Sequence, residues 1–254
     1  MEIPQRSLRP SRSMPRIQTG MLALAVITSA ISVGGCTDHS EVVTAGVTVA
    51  TGQQTAPHWQ KATNTDCLVW NPVPDPGDSV TWTGACVDGK ANGPGTEVFR
   101  WPEHGTYGEQ SYMGEMKAGK SEGHGAMYFY TGDKFEGEFS DGMRVRGTFV
   151  HANGDRYTGS YKNDKPNGFG TFTYASGHQY EGGFADGNFE GRGTSTDAAG
   201  SQYVGHFHHG VPNGDGTLRL STGQIFAGHW VNGCLTERGQ KAAAGVPNES
   251  CGIK

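Results

Sequence analysis

From Trp82 onward one pattern governs the chain: an aromatic ring, a free position, a glycine, a free position, a second ring. It reads Phe135-Gly137-Phe139, Tyr157-Gly159-Tyr161, Tyr180-Gly182-Phe184, Tyr203-Gly205-Phe207 and Phe226-Gly228-Trp230. Looser copies stand at Tyr112-Gly114-Met116 and Trp82-Gly84-Cys86. From Tyr112 to Phe226 the first rings are 23, 22, 23, 23 and 23 residues apart; only the first interval, 30 residues after Trp82, holds an insertion, around Trp101 to Ser111. A period of this size marks a stack of small supersecondary units, each too small to fold alone. Composition agrees: 41 glycines and 34% hydrophobic residues, yet 10% aromatic, so buried apolar surface must come from rings. Those rings and a net charge of only -5 argue against disorder. The absence of a three-residue glycine period excludes collagen.

The second half of each unit is equally regular. A turn at Asp88-Gly89, Gly119, Asp141-Gly142, Asp186-Gly187, Gly210 or Asn232-Gly233 is followed by paired glycines such as Gly168/Gly170 and Gly191/Gly193. A short strand then ends at another glycine, as in Gly170-Thr171-Phe172-Thr173-Tyr174 before Gly177. Asp-Gly and Asn-Gly are hairpin signals because such turns need positive φ. Residues i, i+2 and i+4 of a strand share a face, so both rings lie on one face with the glycine between them. That glycine leaves a gap for a ring of a neighbouring hairpin. The expected fold is all-β, an elongated single-layer antiparallel sheet of about seven stacked hairpins.

These units resemble membrane occupation and recognition nexus (MORN) repeats, whose pattern is Tyr-x-Gly-Glu-x with Gly-x-Gly downstream. Tyr112-Met113-Gly114-Glu115 and Phe135-Glu136-Gly137-Glu138 match most closely, and the resemblance covers about residues 80–236. It implies a role in binding or scaffolding, not chemistry. Three departures are visible: unit three is one residue short before Gly147, unit four has Asn163-Asp164 for Asp-Gly, and unit five has Ser195 and Asp197 where rings belong. Those units are expected to form weaker or bulged hairpins.

The first 35 residues read as an export signal. Arg6, Arg9, Arg12 and Arg16 precede an apolar run from Met21 to Gly34, too short and too polar for a good membrane span. Met14 would serve as an alternative start, since Arg16 still supplies the positive end. Val33-Gly34-Gly35-Cys36 resembles the lipobox of bacterial lipoproteins, which implies lipid attachment at Cys36, and Thr37 at the next position implies the outer membrane. An ordinary cleaved signal, giving a soluble periplasmic or secreted protein, is the alternative. Residues 36–66 read as lipidated N-terminus and flexible tether, 67–236 as the repeat domain, and 237–254 as a C-terminal cap or tail. Cys36 aside, four cysteines remain, and local pairing of Cys67 with Cys86 and Cys234 with Cys251 would close each end of the array. The two other pairings stay open. Removing residues 1–35 leaves 16 basic and 24 acidic residues, net -8, a balance that disfavours nucleic acid.

No nucleophile elbow, phosphate loop, HExxH or Cys-x-x-Cys site occurs. Glu136 and Glu138 fall on the face opposite the rings and read as solvated. His206 and His208 share a face, but His229 is one repeat away, about 10 Å, so no metal is assigned. No cofactor is implied. The expected function is a non-enzymatic interaction or scaffold module in the bacterial cell envelope, lipid-anchored and facing the periplasm, with an envelope protein or glycan as partner. The alternatives are a glycan-binding protein or enzyme accessory whose rings are sugar platforms, and a passive spacer. Rings in a one-layer sheet cannot all hide, so Tyr157, Tyr161, Tyr180, Tyr203, Phe226 and Trp230 form the candidate binding face.

Overall fold

The computed structural model describes residues 57–253 apart from 104 and 238. Among them are strands β1 (His58–Lys61), β2 (Leu68–Asn71), β3 (Ser79–Trp82), β4 (Ala85–Val87), β5 (Lys90–Glu103), β6 (Thr106–Lys117), β7 (Lys120–Tyr128), β8 (Lys134–Ser140) and β9 (Met143–Val150). The remainder are β10 (Arg156–Lys162), β11 (Lys165–Thr173), β12 (Gln179–Ala185), β13 (Asn188–Thr196), β14 (Gln202–His208), β15 (Val211–Arg219), β16 (Ile225–Val231), β17 (Cys234–Glu237) and β18 (Gln240–Ala243). From β5 to β18 every strand pairs antiparallel with the next, so the repeats build one open meander. The insertion after Trp101 starts no new element. It lengthens the β5–β6 hairpin out to Glu103 opposite Thr106.

From Trp82 to Tyr203 each first ring lies on its own hairpin, not on a neighbour's. A Cβ added at Gly159 would sit 2.3 Å from the Tyr157 hydroxyl, and one at Gly170, directly across the ladder, 2.6 Å from the same ring. The ring therefore lies flat over two glycines, one on each strand. Sequence parity places the rings on one face but does not say which glycine each one covers. Tyr112, Tyr180 and Tyr203 repeat the arrangement, and Trp82 lies over Gly84 and Gly95 in the same way.

A bulge follows the glycine pair. Between the pairs Gly159/Gly170 and Tyr161/Pro166, two steps on β10 face four on β11. The same offset recurs at Gly182/Gly193 and Gly205/Gly216. It leaves a carbonyl without a ladder partner, and the tyrosine hydroxyl donates to it: Tyr157 to Ser160 O at 2.9 Å, Tyr180 to Gly183 O at 2.9 Å, Tyr203 to His206 O at 3.2 Å. Unit three, one residue short, has the narrower offset of two steps against three, and its first ring is Phe135, which has no hydroxyl to donate. Bulging is thus the rule in this array. Unit five, despite Ser195 and Asp197, keeps Ser195 paired on both sides, with Tyr180 and Tyr203; Ser195 meets His178 at 2.8 Å and Asp197 accepts from the backbone of its own turn.

Between hairpins, the second ring of one unit stands edge-on against the first ring of the unit before. The steps are Tyr112–Phe139, Phe135–Tyr161, Tyr157–Phe184, Tyr180–Phe207 and Tyr203–Trp230, at 4.9 to 5.4 Å. The turns also stack. Gly142 N donates to Ser121 O, Gly187 N to Pro166 O, Gly210 N to Phe189 O and Gly233 N to Pro212 O. Asp141 (φ 50°) and Gly142 (φ 85°) both take the left-handed conformation, which is why Asp-Gly recurs there.

Residues 58–66, expected as tether, are folded; residues 36–56 lie outside the described residues. β1 pairs with β2, Trp59 stacks edge-on against Trp70 at 5.2 Å, and Ala62 is buried. β2 lies along the row of turns: Leu68 N donates to Gly89 O and Trp70 N to Gly119 O. Cys67 is joined to Cys86, and Cys234 to Cys251, so each bridge fastens one end of the sheet.

Candidate functional site: a cavity where the ring ladder thins

The rings named as a binding face are mostly core. Tyr157, Tyr161, Tyr180, Tyr203 and Trp230 are buried and Phe226 is partly buried. Burial also pushes the phenols of Tyr157, Tyr161 and Tyr180 well above their usual range. The physical reason is that the first rings lie flat over paired glycines while second rings such as Tyr161 and Trp230 stand edge-on against the first rings of the preceding unit. These rings offer no platform for a sugar.

The histidines are spoken for. His208 meets Glu190 and His229 meets Asp215, each at 3.0 Å, while His206 lies 3.3 Å from Asp215 O. Among the described residues no group of three or more His, Cys, Asp and Glu side chains converges. On the opposite face Glu138 pairs with His124 at 3.6 Å and Glu136 with Lys134 at 2.9 Å.

The ring face has an opening among the described residues. A cavity of about 370 Å³ lies at the N-terminal end, lined by Trp70, Val73, Phe99, Met116, Met127 and Met143 with Glu97 and Gln110 among them. Its origin is legible column by column. Met116 stands where later units carry Tyr161, Phe184 or Phe207, and Ser121 stands where unit five carries Phe189. Small or flexible side chains in ring columns leave the space open. Its far wall is the loop after β2, held by Asn71, whose amide donates to Gln60 Oε1 at 2.8 Å and whose Oδ1 accepts from Val73 N at 3.1 Å.

Glu97 is the anomaly of the site. It occupies the column of Met127, Phe149, Phe172 and Leu218, inside the ring face, and is only 8% exposed. Among the described residues its carboxyl makes no hydrogen bond or ion pair. Burial pushes it up to about 8. The nearby cations are committed elsewhere. Lys120 Nζ lies 2.7 Å from Asp141 Oδ1 and 5.4 Å from the Trp70 ring centre. Arg144 Nε lies 2.9 Å from Asp164 Oδ1. Sequence reading missed Glu97, and the signal was there: a carboxylate in a column that is apolar in every later unit but unit five, which has Ser195.

The family model of the MORN repeat matches residues 87–101, 112–134, 135–156, 157–179, 180–202 and 203–225, just over half of the chain. The chain belongs to the MORN-repeat family. Its MORN units account for most of β5 to β15, while β1–β3 and everything after residue 225 lie outside the match. The cavity straddles that boundary, with MORN residues Phe99, Met116 and Met127 on one side and Trp70 and Val73 on the other. No curated protein matches the chain significantly. Among solved structures, one similar chain is the SAS-4 (dCPAP) TCP domain in complex with a Proline Rich Motif of Ana2 (dSTIL) of Drosophila melanogaster. It is 14% identical with a TM-score of 0.32, over 54% of this chain and 79% of that one. MORN repeats in general serve protein or membrane interaction and are generally non-catalytic.

Proposed function

We propose that this MORN protein is a non-enzymatic binding module of the bacterial cell envelope, tethered through a lipidated Cys36, and that its ligand seats in the cavity beside Glu97. The observation that carries this reading is a preformed, mostly apolar hollow whose buried carboxyl, Glu97, makes no hydrogen bond or ion pair among the described residues. Ligand sites are concave, mostly apolar and furnished with few polar groups, and this hollow has that make-up. The cap that forms its wall is fastened to the array by a disulfide, a bond suited to an oxidising compartment. Residues 1–56, which carry the lipobox and its cysteine, lie outside the described residues, so the anchor rests on the sequence alone.

Two experiments test the halves separately. Cys36→Ser should abolish acyl labelling and leave an unprocessed precursor; equal processing of mutant and wild type would refute the anchor. A photo-cross-linking residue placed at Met143, on the cavity rim, should give discrete adducts in native envelopes, whereas one at Thr158 on the opposite face should not. Adducts of equal yield from both positions would remove the cavity as the seat of binding.

A further inference from the structure

The cavity is furnished for one kind of chemistry. Its walls are mostly apolar and include three thioethers and two aromatic residues, which adapt readily to an unbranched chain. A dry cavity of about 150 Å³ holds a benzene ring. This one, at about 370 Å³, has room for a stem of several methylenes. The polar requirement is set by Glu97. A neutral apolar occupant would leave its carboxyl buried and unpartnered, which costs free energy. An anionic occupant would meet Glu97, Asp141 and Asp164 against the single lining cation Lys120, already held by Asp141. A metal would find no convergent ligand set, since no group of three or more His, Cys, Asp and Glu side chains comes together among the described residues. What remains is a cation with several N–H donors and an apolar body.

We infer that the cavity is a receptor site for a primary ammonium or guanidinium group on an unbranched apolar stem, with Glu97 accepting its N–H donors and Trp70 flanking the stem. The inference deepens the binding function proposed above and rests on it. Such a group supplies the charge-assisted hydrogen bonds that Glu97 lacks. It also removes the reason for Glu97 to hold a proton: burial raises the carboxyl in the empty site, and a bound cation lets it ionise. Tyr112, which feels the Glu97 charge, has its hydroxyl turned to Glu115 O at 2.8 Å and does not substitute for the cation. The same chemistry is carried by a free alkylamine and by a lysine or arginine side chain of a partner protein.

The test is titration of the full-length protein, followed by Trp fluorescence and calorimetry with 1-hexylamine, 1-hexanol and hexanoate. Hexylamine should bind at least about tenfold more tightly than hexanol, and hexanoate not at all. Glu97→Gln should erase the preference for amine while keeping hexanol binding and an undiminished melting temperature. Met116→Phe, which restores the ring of later repeats and fills the space, should abolish both ligands. A lysine-containing hexapeptide that binds with the same dependence on Glu97 would assign the group to a partner protein; a peptide that fails where hexylamine succeeds would assign it to a small amine. Equal binding of hexanol and hexylamine, or an amine preference that survives Glu97→Gln, would overturn the cation inference alone. If neither hexanol nor hexylamine binds the wild type, the cavity is not a binding site and the underlying proposal falls with it.

Discussion

Two charged residues sit in columns that the repeat otherwise fills with apolar or small side chains, and each carries a consequence. Glu97 holds its proton to about 8 when folded but ionises near 4.5 when unfolded. Below pH 4.5 both states bind the proton; between pH 4.5 and 8 the unfolded state loses it first, so stability falls as pH rises, by up to about 5 kcal/mol. Glu97→Gln should therefore be more stable than wild type at pH 8 and no more stable at pH 4. Tyr112, Lys120, Asp141 and Asp164 are common to both proteins and cancel in the difference. Urea melts at the two pH values check this, and a constant difference would contradict it. Arg144, 4% exposed, lies between Phe135, Phe149 and Tyr161, 5.0 to 5.6 Å from the ring centres, and reaches Asp164 of the next unit through both Oδ1 and the backbone O. The short unit three and the glycine-less turn of unit four thus compensate one another. Asp164→Gly leaves a buried guanidinium without its carboxylate and should cost about 3–5 kcal/mol. Adding Arg144→Leu should recover part of that loss, and an additive double-mutant cycle would disprove the coupling.

At the level of the hairpin, the unit is a ring pressed on two glycines and a hydroxyl that satisfies a bulge. Gly193→Ala would place a Cβ 2.5 Å from the Tyr180 hydroxyl and should cost about 1–3 kcal/mol by overpacking. Tyr180→Phe should cost only about 1 kcal/mol, the net worth of one hydrogen bond, while Tyr180→Ala should cost about 3–5 kcal/mol. An unchanged melting temperature for Tyr180→Ala would contradict the packing role. Much of this was legible in the sequence. The 23-residue spacing, the Asp-Gly turns and the period-two parity specify antiparallel hairpins whose rings share a face, because those signals are local and repeated. Which glycine a ring covers was not legible, since parity fixes a face but not a lean along or across strands. The β1–β2 cap was not legible either, because it occurs once and has no period to reveal it. Its Thr-, Asn- and Gln-rich stretch around Trp59 reads as linker until Trp70, Asn71 and the row of turns are seen together.

Over the whole molecule, the array is a filled ladder from unit three to the C-terminal cap and an unfilled one at its N-terminal end. The filled part is closed by Trp230, buried between Tyr203 and the final strands, with Cys234–Cys251 fastening the last turn. The unfilled part owes its shape to Met116, Ser121 and Glu97 and its outer wall to the cap held by Cys67–Cys86. The molecule therefore divides into a scaffold of rings and a cavity at its N-terminal end where rings are missing. An amide and methyl chemical-shift map of the full-length protein titrated with 1-hexylamine tests that division most directly. Shifts should concentrate on Trp70, Glu97, Met116, Gly119, Lys120, Met127, Gly142 and Met143, and leave the signals of Tyr157, Tyr180, Tyr203 and Trp230 in place. Shifts spread along Tyr157 to Trp230, with the cavity residues unmoved, would show that the ladder itself is the binding face.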